Sequence, residues 1–216
     1  LQSMIYNLLK NKEDLSTQLH ERGYQLEGKH FKLFIFSLLQ GHFKMQGKQI
    51  EFIDKVHFEI RTIDQSILCT IAESLSNLDE LRIGRNLVKI LNVKIDQKKL
   101  TETSYKIRMT SPLVVRSTDA ETKKTLYYNP FDTEFHSRII ENFARKYQAY
   151  YHKVPTGRFD IEPINFSLKN KFVTKYKDYL ITGWKGEFEI RGDAEVLDFL
   201  YQVGLGEKNS MGFGMF

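Results

Sequence analysis

Apolar residues recur at helical spacing in some stretches of this chain and alternate or run unbroken in others. Leu1, Ile5, Leu8 and Leu9 form a stripe with helical periodicity, and Tyr6 lies on its flank. The polar stretch Asn11-Lys12-Glu13-Asp14 interrupts the stripe. A second short helical piece follows, with Leu15 and Leu19 inward, His20 on the flank and Gly23 as its stop. Phe31 to Leu39 is almost wholly apolar, with Lys32 as its only charge, and predicts a buried strand. Gly41 and Gly47 flank a hairpin, and Gln49 to Thr62 predicts one or two further strands. Ile63 to Asn77 predicts a helix with Ile67, Leu68, Ile71 and Leu75 inward, and Leu87 to Ile95 another strand. Cys69, inside that helix, reads as structural.

The second half repeats the grammar. Lys106 to Arg116 and Leu126 to Tyr128 predict strands. Asn129 as N-cap and Pro130 at the first helical position predict a helix start, and Phe131, Phe135, Ile139, Phe143 and Tyr147 recur every four residues along it. Strands are expected around Phe159 to Leu168, Phe172 to Tyr176 and Tyr179 to Ile190. A helix over Asp193 to Val203 stops at Gly204. The order strand-helix-strand-strand-helix-strand, roughly twice over, predicts an α+β fold of two tandem ferredoxin-like (βαββαβ) units, residues 1–100 and 101–216. The first unit opens on its helix and the second closes as its last strand begins. Flanking residues are therefore expected at both ends.

Composition narrows the function classes. The net charge is +5 and the pI about 9.1, so polyanions are the favoured partners. No apolar run approaches the roughly 18 residues of a membrane span, and no signal peptide opens the chain. A cytoplasmic protein without membrane contact is expected. One cysteine excludes an internal disulfide and a multi-cysteine metal site, and the six histidines lack metal-ligand spacing. No metal or other cofactor is expected.

Two features bear on a polyanion. Lys169, Lys171, Lys175 and Lys177 are interleaved with Phe172 and Tyr176, and strand alternation would place these lysines on one face as a stripe for phosphates. The same pattern also suits a solvated face that resists edge pairing. Arg82, Arg85 and Lys89, and the helical face bearing Arg138, Arg145 and Lys146, are weaker candidates. The second feature is the glycine-rich segment from Gly204 to Gly214, which follows a helix. Its amides could cradle phosphate oxygens, with Gly204, Gly206, Lys208, Asn209, Ser210, Gly212 and Gly214 as contact residues. The bland alternative is a turn that joins a helix to an edge strand.

The stretch Val-Gly-Leu-Gly-Glu-Lys-Asn-Ser-Met-Gly-Phe-Gly-Met-Phe closely resembles the C-terminal glycine-rich loop of the repeat-associated RNA-binding (RAMP) superfamily. More narrowly, it resembles the CRISPR-associated repeat-processing endoribonuclease, the sixth Cas family. Ile5-Tyr6-Asn7, Leu19-His20-Glu21 and Lys32-Leu33-Phe34 carry the resemblance at the N-terminal end, and Val114-Val115-Arg116 adds to it. The resemblance implies two ferredoxin-like folds side by side. It also implies metal-independent cleavage of CRISPR repeat RNA by a tyrosine, a histidine and a lysine, carried over to Tyr6, His20 and Lys32. A non-catalytic RNA-binding subunit of a CRISPR effector complex is the alternative within the superfamily, and a monomer or a homodimer is left open.

Those residue types suit the reaction. RNA carries its own nucleophile, the 2′-hydroxyl beside each scissile phosphate. Histidine titrates near neutrality and can move a proton. A tyrosine can orient the hydroxyl or assist proton transfer, and a lysine can hold developing negative charge. One straight helix would separate Tyr6 and His20 by about 21 Å. The chain is therefore expected to turn between them, at Asn11–Asp14. His30 lies near the three and is a weaker acid or base.

Overall fold

The computed structural model describes residues 1–10, 23–47 and 49–216. The expected turn at Asn11–Asp14, the second helical piece with Leu15 and Leu19, and His20 all lie outside the described residues.

The first half holds α1 (Gln2–Leu9), a hairpin of β1 (Tyr24–Leu26) and β2 (Lys29–Phe31), then β3 (Phe34–Phe36), a hairpin of β4 (Phe43–Gln46) and β5 (Gln49–Phe52), and β6 (Ile60–Thr62). It continues into α2 (Gln65–Ser76) and the hairpin of β7 (Glu80–Ile83) and β8 (Asn86–Lys89). Strand β3 pairs antiparallel with β6, Phe34 opposite Thr62. The helical stripe of α1 buries Met4, Ile5, Leu8 and Leu9 against Phe34 and Phe36 of β3 and Ile67 and Ile71 of α2. Asp64 caps α2, its carboxylate accepting from the amides of Ser66 and Ile67. Within α2, Leu68 and Leu75 are half-buried and Thr70 and Ser74 fill the inward face, where Ser74 Oγ donates to the Leu8 carbonyl at 2.6 Å. Cys69 lies on the exposed face of that helix.

The second half runs β9 (Ser104–Arg108), a hairpin of β10 (Arg116–Thr118) and β11 (Thr125–Tyr127), α3 (Thr133–Tyr151) and β12 (Phe159–Ile164). After them come a hairpin of β13 (Lys171–Tyr176) and β14 (Tyr179–Trp184), then β15 (Glu187–Gly192) and α4 (Ala194–Val203). Strands β12, β15 and β9 form one antiparallel sheet in that spatial order. Two helices on a sheet so ordered make a ferredoxin-like βαββα series. The last residues run beside the continuation of β9, in the place of a fourth strand: Thr110 N donates to the Met215 carbonyl at 2.8 Å and Gly214 N to the Pro112 carbonyl at 2.8 Å. Alternation along β15 turns Phe188 and Ile190 into the core and Glu187, Glu189 and Arg191 outward. Phe143 of α3 packs edge-on against Phe159 at 5.3 Å and Phe199 at 5.9 Å.

Several expected boundaries shift for identifiable reasons. Asn129 does not cap the long helix. Its side chain closes a turn by accepting from Phe131 N, while Asp132 accepts from Asn129 N, so the helix starts after Asp132. Phe131 consequently stays outside the helix, 68% exposed, against the edge of Phe166. The strand from Lys106 ends at Arg108, because residues 109–115 leave the ladder to run beneath the C-terminal segment and Trp184. The strand expected over Leu87 to Ile95 ends at Lys89, with one further hydrogen bond from Ile90 N to the Asp79 carbonyl, and Leu91, Val93 and Ile95 are exposed.

The halves are tied together at their seam. Arg61 stacks its guanidinium 3.7 Å from the Tyr201 ring centroid and donates to the Phe216 carbonyl at 2.7 Å. Phe36 closes over Gly212, and Tyr150 Oη donates to the Ile63 carbonyl at 3.2 Å. Among the described residues, no helix is long and apolar enough to cross a membrane.

Candidate active site

The seam between the halves opens on one side into a groove of about 610 Å³. Lys29, His30 and Lys32 line one wall, Arg138 and Arg145 of α3 the other. Arg116, Lys146 and the loop residues Lys208, Asn209 and Ser210 complete it. Its acidic residues are Glu141 and Glu207, so positive charge dominates. The arginines are lightly held. Arg138 and Arg145 flank Glu141 at 3.1 and 2.5 Å, each roughly one-third to two-fifths exposed, and exposed pairs of this kind contribute at most about 1 kcal/mol. An incoming phosphate can take them over at small cost.

The lysine at the edge of this groove meets the tyrosine of α1. The Lys32 ammonium lies 5.1 Å from the Tyr6 ring centroid, and the same ring packs edge-on against Phe34 at 5.8 Å. The backbone makes this possible through Leu33, which takes a left-handed φ of +38° between β2 and β3. That conformation costs an L-residue roughly 1–2 kcal/mol. Burial of the Leu33 side chain and the hydrogen bond from Thr62 Oγ1 to its carbonyl at 2.9 Å offset it. The kink falls directly after Lys32, between β2 and β3. Burial pushes the Tyr6 phenol up to about 12, so near neutral pH it is a proton-bearing donor and not a base. Burial also lowers the Lys32 pKa. Two members of the expected triad are thus in contact, and His20 lies outside the described residues. His30 lines the wall that Lys32 belongs to.

The glycines of the C-terminal segment serve close packing. Gly204, Gly206, Gly212 and Gly214 are buried. Several of the segment's amides are engaged internally: Leu205 N donates to the Gly214 carbonyl, Glu207 N to Val114 and Gly212 N to Asn209. Asn209 is 8% exposed, and its amide nitrogen bridges the Leu205 and Phe213 carbonyls at 3.0 Å each. The segment faces the groove with Lys208 and Ser210 and one side of Asn209, and it presents no glycine there. Arg116 anchors the rim by an ion pair to Glu207 at 2.8 Å. Lys146, expected on the polar face of its helix, is instead buried beneath the loop and donates to the Gly204 and Gly206 carbonyls at 2.9 and 2.7 Å.

The lysine run divides. Lys171 and Lys175 share an exposed face of β13 with Val173 between them. Lys169 lies in a 3-10 turn, and Lys177 adopts a left-handed φ of +52° in the turn before β14. This hairpin stands outside the groove lining, as do Arg82, Arg85 and Lys89. Sequence reasoning missed Lys29 and the kink at Leu33. No local signal marks either one: strand alternation from Lys29 leads to Phe31 and Leu33, not to His30 and Lys32.

A family model described as CRISPR associated protein Cas6, C-terminal, matches residues 95–216, more than half of the chain. The chain belongs to the Cas6 family. It is similar to CRISPR-associated endoribonuclease Cas6 1 of Methanocaldococcus jannaschii, 29% identical over 221 residues that cover 100% of this chain and 83% of the relative. It is equally similar to CRISPR-associated endoribonuclease Cas6 of Pyrococcus furiosus, 29% identical over 221 residues, 100% of this chain and 79% of the relative. The fold matches the solved structure of a Cas6-related protein from Pyrococcus furiosus with a TM-score of 0.83 at 23% identity, covering 100% of this chain and 87% of that one.

Proposed function

We propose that this Cas6-family chain is a metal-independent endoribonuclease that cuts CRISPR repeat transcripts in the cytoplasm to release guide RNAs for a CRISPR effector complex. The observation that carries the reading is the contact of Lys32 with Tyr6 at the edge of a groove in which positive charge dominates. The groove holds the sugar-phosphate backbone, and the three residues act on one phosphate. The 2′-hydroxyl gives up its proton and its oxygen attacks phosphorus as the bond to the 5′-oxygen breaks. The leaving oxygen then takes a proton, giving a 2′,3′-cyclic phosphate and a 5′-hydroxyl. His20 moves the proton, Lys32 stabilises the extra phosphate charge, and Tyr6, protonated, donates a hydrogen bond that positions the reacting group. The two ferredoxin-like units divide near residue 100.

The test is incubation of the protein with repeat RNA in EDTA. A single cut ending in a cyclic phosphate is expected, and one 2′-deoxy substitution at that position should abolish it. Cleavage of the deoxy RNA would exclude attack by the 2′-hydroxyl. RNA that is bound tightly and left whole would favour the non-catalytic subunit.

The exposed lysines of β13 lie outside the groove and contribute affinity without selectivity. Neutralising Lys171 and Lys175 together should weaken binding to unrelated RNAs alike. It should also flatten the dependence of log K on log salt by about 1.4, two phosphate contacts at roughly 0.7 each. An unchanged slope in a salt titration would return this face to solvent.

A further inference from the structure

Lys146 is the buried cation that the proposed chemistry leaves unused. Its side chain is 3% exposed, forms part of the groove floor, and ends on the Gly204 and Gly206 carbonyls at 2.9 and 2.7 Å. Two carbonyls on one nitrogen fix the start of the loop relative to α3. The loop then runs through Glu207, paired with Arg116, to Lys208 and Ser210 at the groove.

We propose that Lys146 is a positioning residue for RNA binding, tying the glycine loop to the groove floor so that Lys208 and Ser210 meet the phosphates. This rests on the reading of the groove as an RNA site. A consequence separates it from a plain structural anchor. Desolvation lowers the Lys146 pKa to about 7, opposed in part by Glu207. The other charged groups around it are Arg145 and Glu141 on its own helix, Lys208 on the loop, Arg116 on β10, and His30 and Lys32 across the groove. In the free protein, amine and ammonium are therefore both populated near neutral pH. RNA phosphates brought into the groove favour the ammonium, which keeps both carbonyl bonds and gains a counter-charge. RNA binding should take up protons, and affinity should fall as pH rises from about 6.5 to 8.5.

Histidine side chains as a class titrate in the same range, so the lysine is read directly. Lysine side-chain ε-carbon NMR of the full chain is recorded against pH, with and without a repeat RNA made uncleavable by a 2′-deoxy residue. One lysine should titrate near pH 7, vanish from the spectrum of Lys146→Met, and move upward by a pH unit or more when RNA is bound. Lys146→Met should bind that RNA about tenfold more weakly, because Lys208 and Ser210 are no longer held at the groove, with a shallower pH dependence. If Lys146→Met does not fold, the parent titration alone decides. A folded variant with parental affinity and pH dependence overturns the proposal, as does a parent in which RNA shifts no lysine titration. A parent that cuts repeat RNA while failing these tests leaves the RNA reading standing. A parent that binds no RNA removes both.

Discussion

Replacing His20 with alanine should slow single-turnover cleavage by about 10²- to 10⁴-fold, the usual contribution of a positioned acid or base. The assignment comes from the family resemblance, and the chemistry of its companions agrees with it. Burial holds the Tyr6 phenol near 12, so it keeps its proton at neutral pH and cannot accept one from the 2′-hydroxyl. In the proposed mechanism Lys32 carries the charge that the phosphate needs. Proton transfer near pH 7 therefore falls to an imidazole, whose ordinary pKa is about 6.5. Affinity should change little, because the groove retains Lys29, Arg116, Arg138 and Arg145. Lys32→Ala should lose a similar factor in rate and some affinity as well. Tyr6→Phe should be milder, since the ring still supports Lys32. The measurement is the cleavage rate at saturating protein across pH. The parent profile should bend near the histidine range and the His20→Ala profile should not. A parental rate in His20→Ala, with the bend abolished instead by His30→Ala, would move the proton-transfer role to His30 on the groove wall.

The parts legible in the sequence are those fixed by periodicity. The stripe of α1, the alternation in β15, the spacing of Phe135, Ile139 and Phe143, and the stop at Gly204 all follow from which residues must leave water. Long-range geometry was not legible. Whether Asn129 or Asp132 starts the helix depends on which backbone amides their side chains take, Phe131 N for Asn129 and Asn129 N for Asp132, and both types favour caps. Lys146 lies on a charged stretch, and only the loop folding over it, from nearly sixty residues further along, makes it a core residue. At the site, Tyr6 and Lys32 were named by resemblance to a family. Their contact depends on a left-handed leucine, which no local pattern predicts. The role of the glycine segment is illegible for the same reason. Glycines that admit a phosphate and glycines that admit a neighbouring carbonyl look alike in one dimension.

That last distinction can be measured at Gly206. Its φ is +62°, a region costing most L-residues roughly 1–2 kcal/mol and a β-branched residue more. A Cβ there would overlap the Val114 carbonyl oxygen and come within 2.7 Å of Leu113 Cδ1. Both obstacles are buried, Leu113 and Val114 being fully enclosed, so neither can swing aside. Gly206→Val must therefore push the loop outward. This displaces the Glu207 amide from the Val114 carbonyl at 2.8 Å and the Gly206 carbonyl from Lys146 at 2.7 Å. Leaving such buried groups unsatisfied costs about 1–3 kcal/mol each. The sum, about 3–8 kcal/mol, is a large share of the roughly 5–15 kcal/mol that holds a typical protein folded. At about 2–4 °C per kcal/mol for a protein of this size, the melting midpoint should fall by about 6–32 °C. Lys208→Asn is the companion variant, since asparagine tolerates the left-handed φ of +61° and removes the charge facing the groove. It should keep the parental midpoint and lose RNA affinity. Thermal denaturation and RNA titration of the two variants separate packing from contact. A Gly206→Val protein that melts with the parent and loses only RNA affinity would mean that the glycine backbone itself lies against phosphate, and that the buried arrangement described for this loop is wrong.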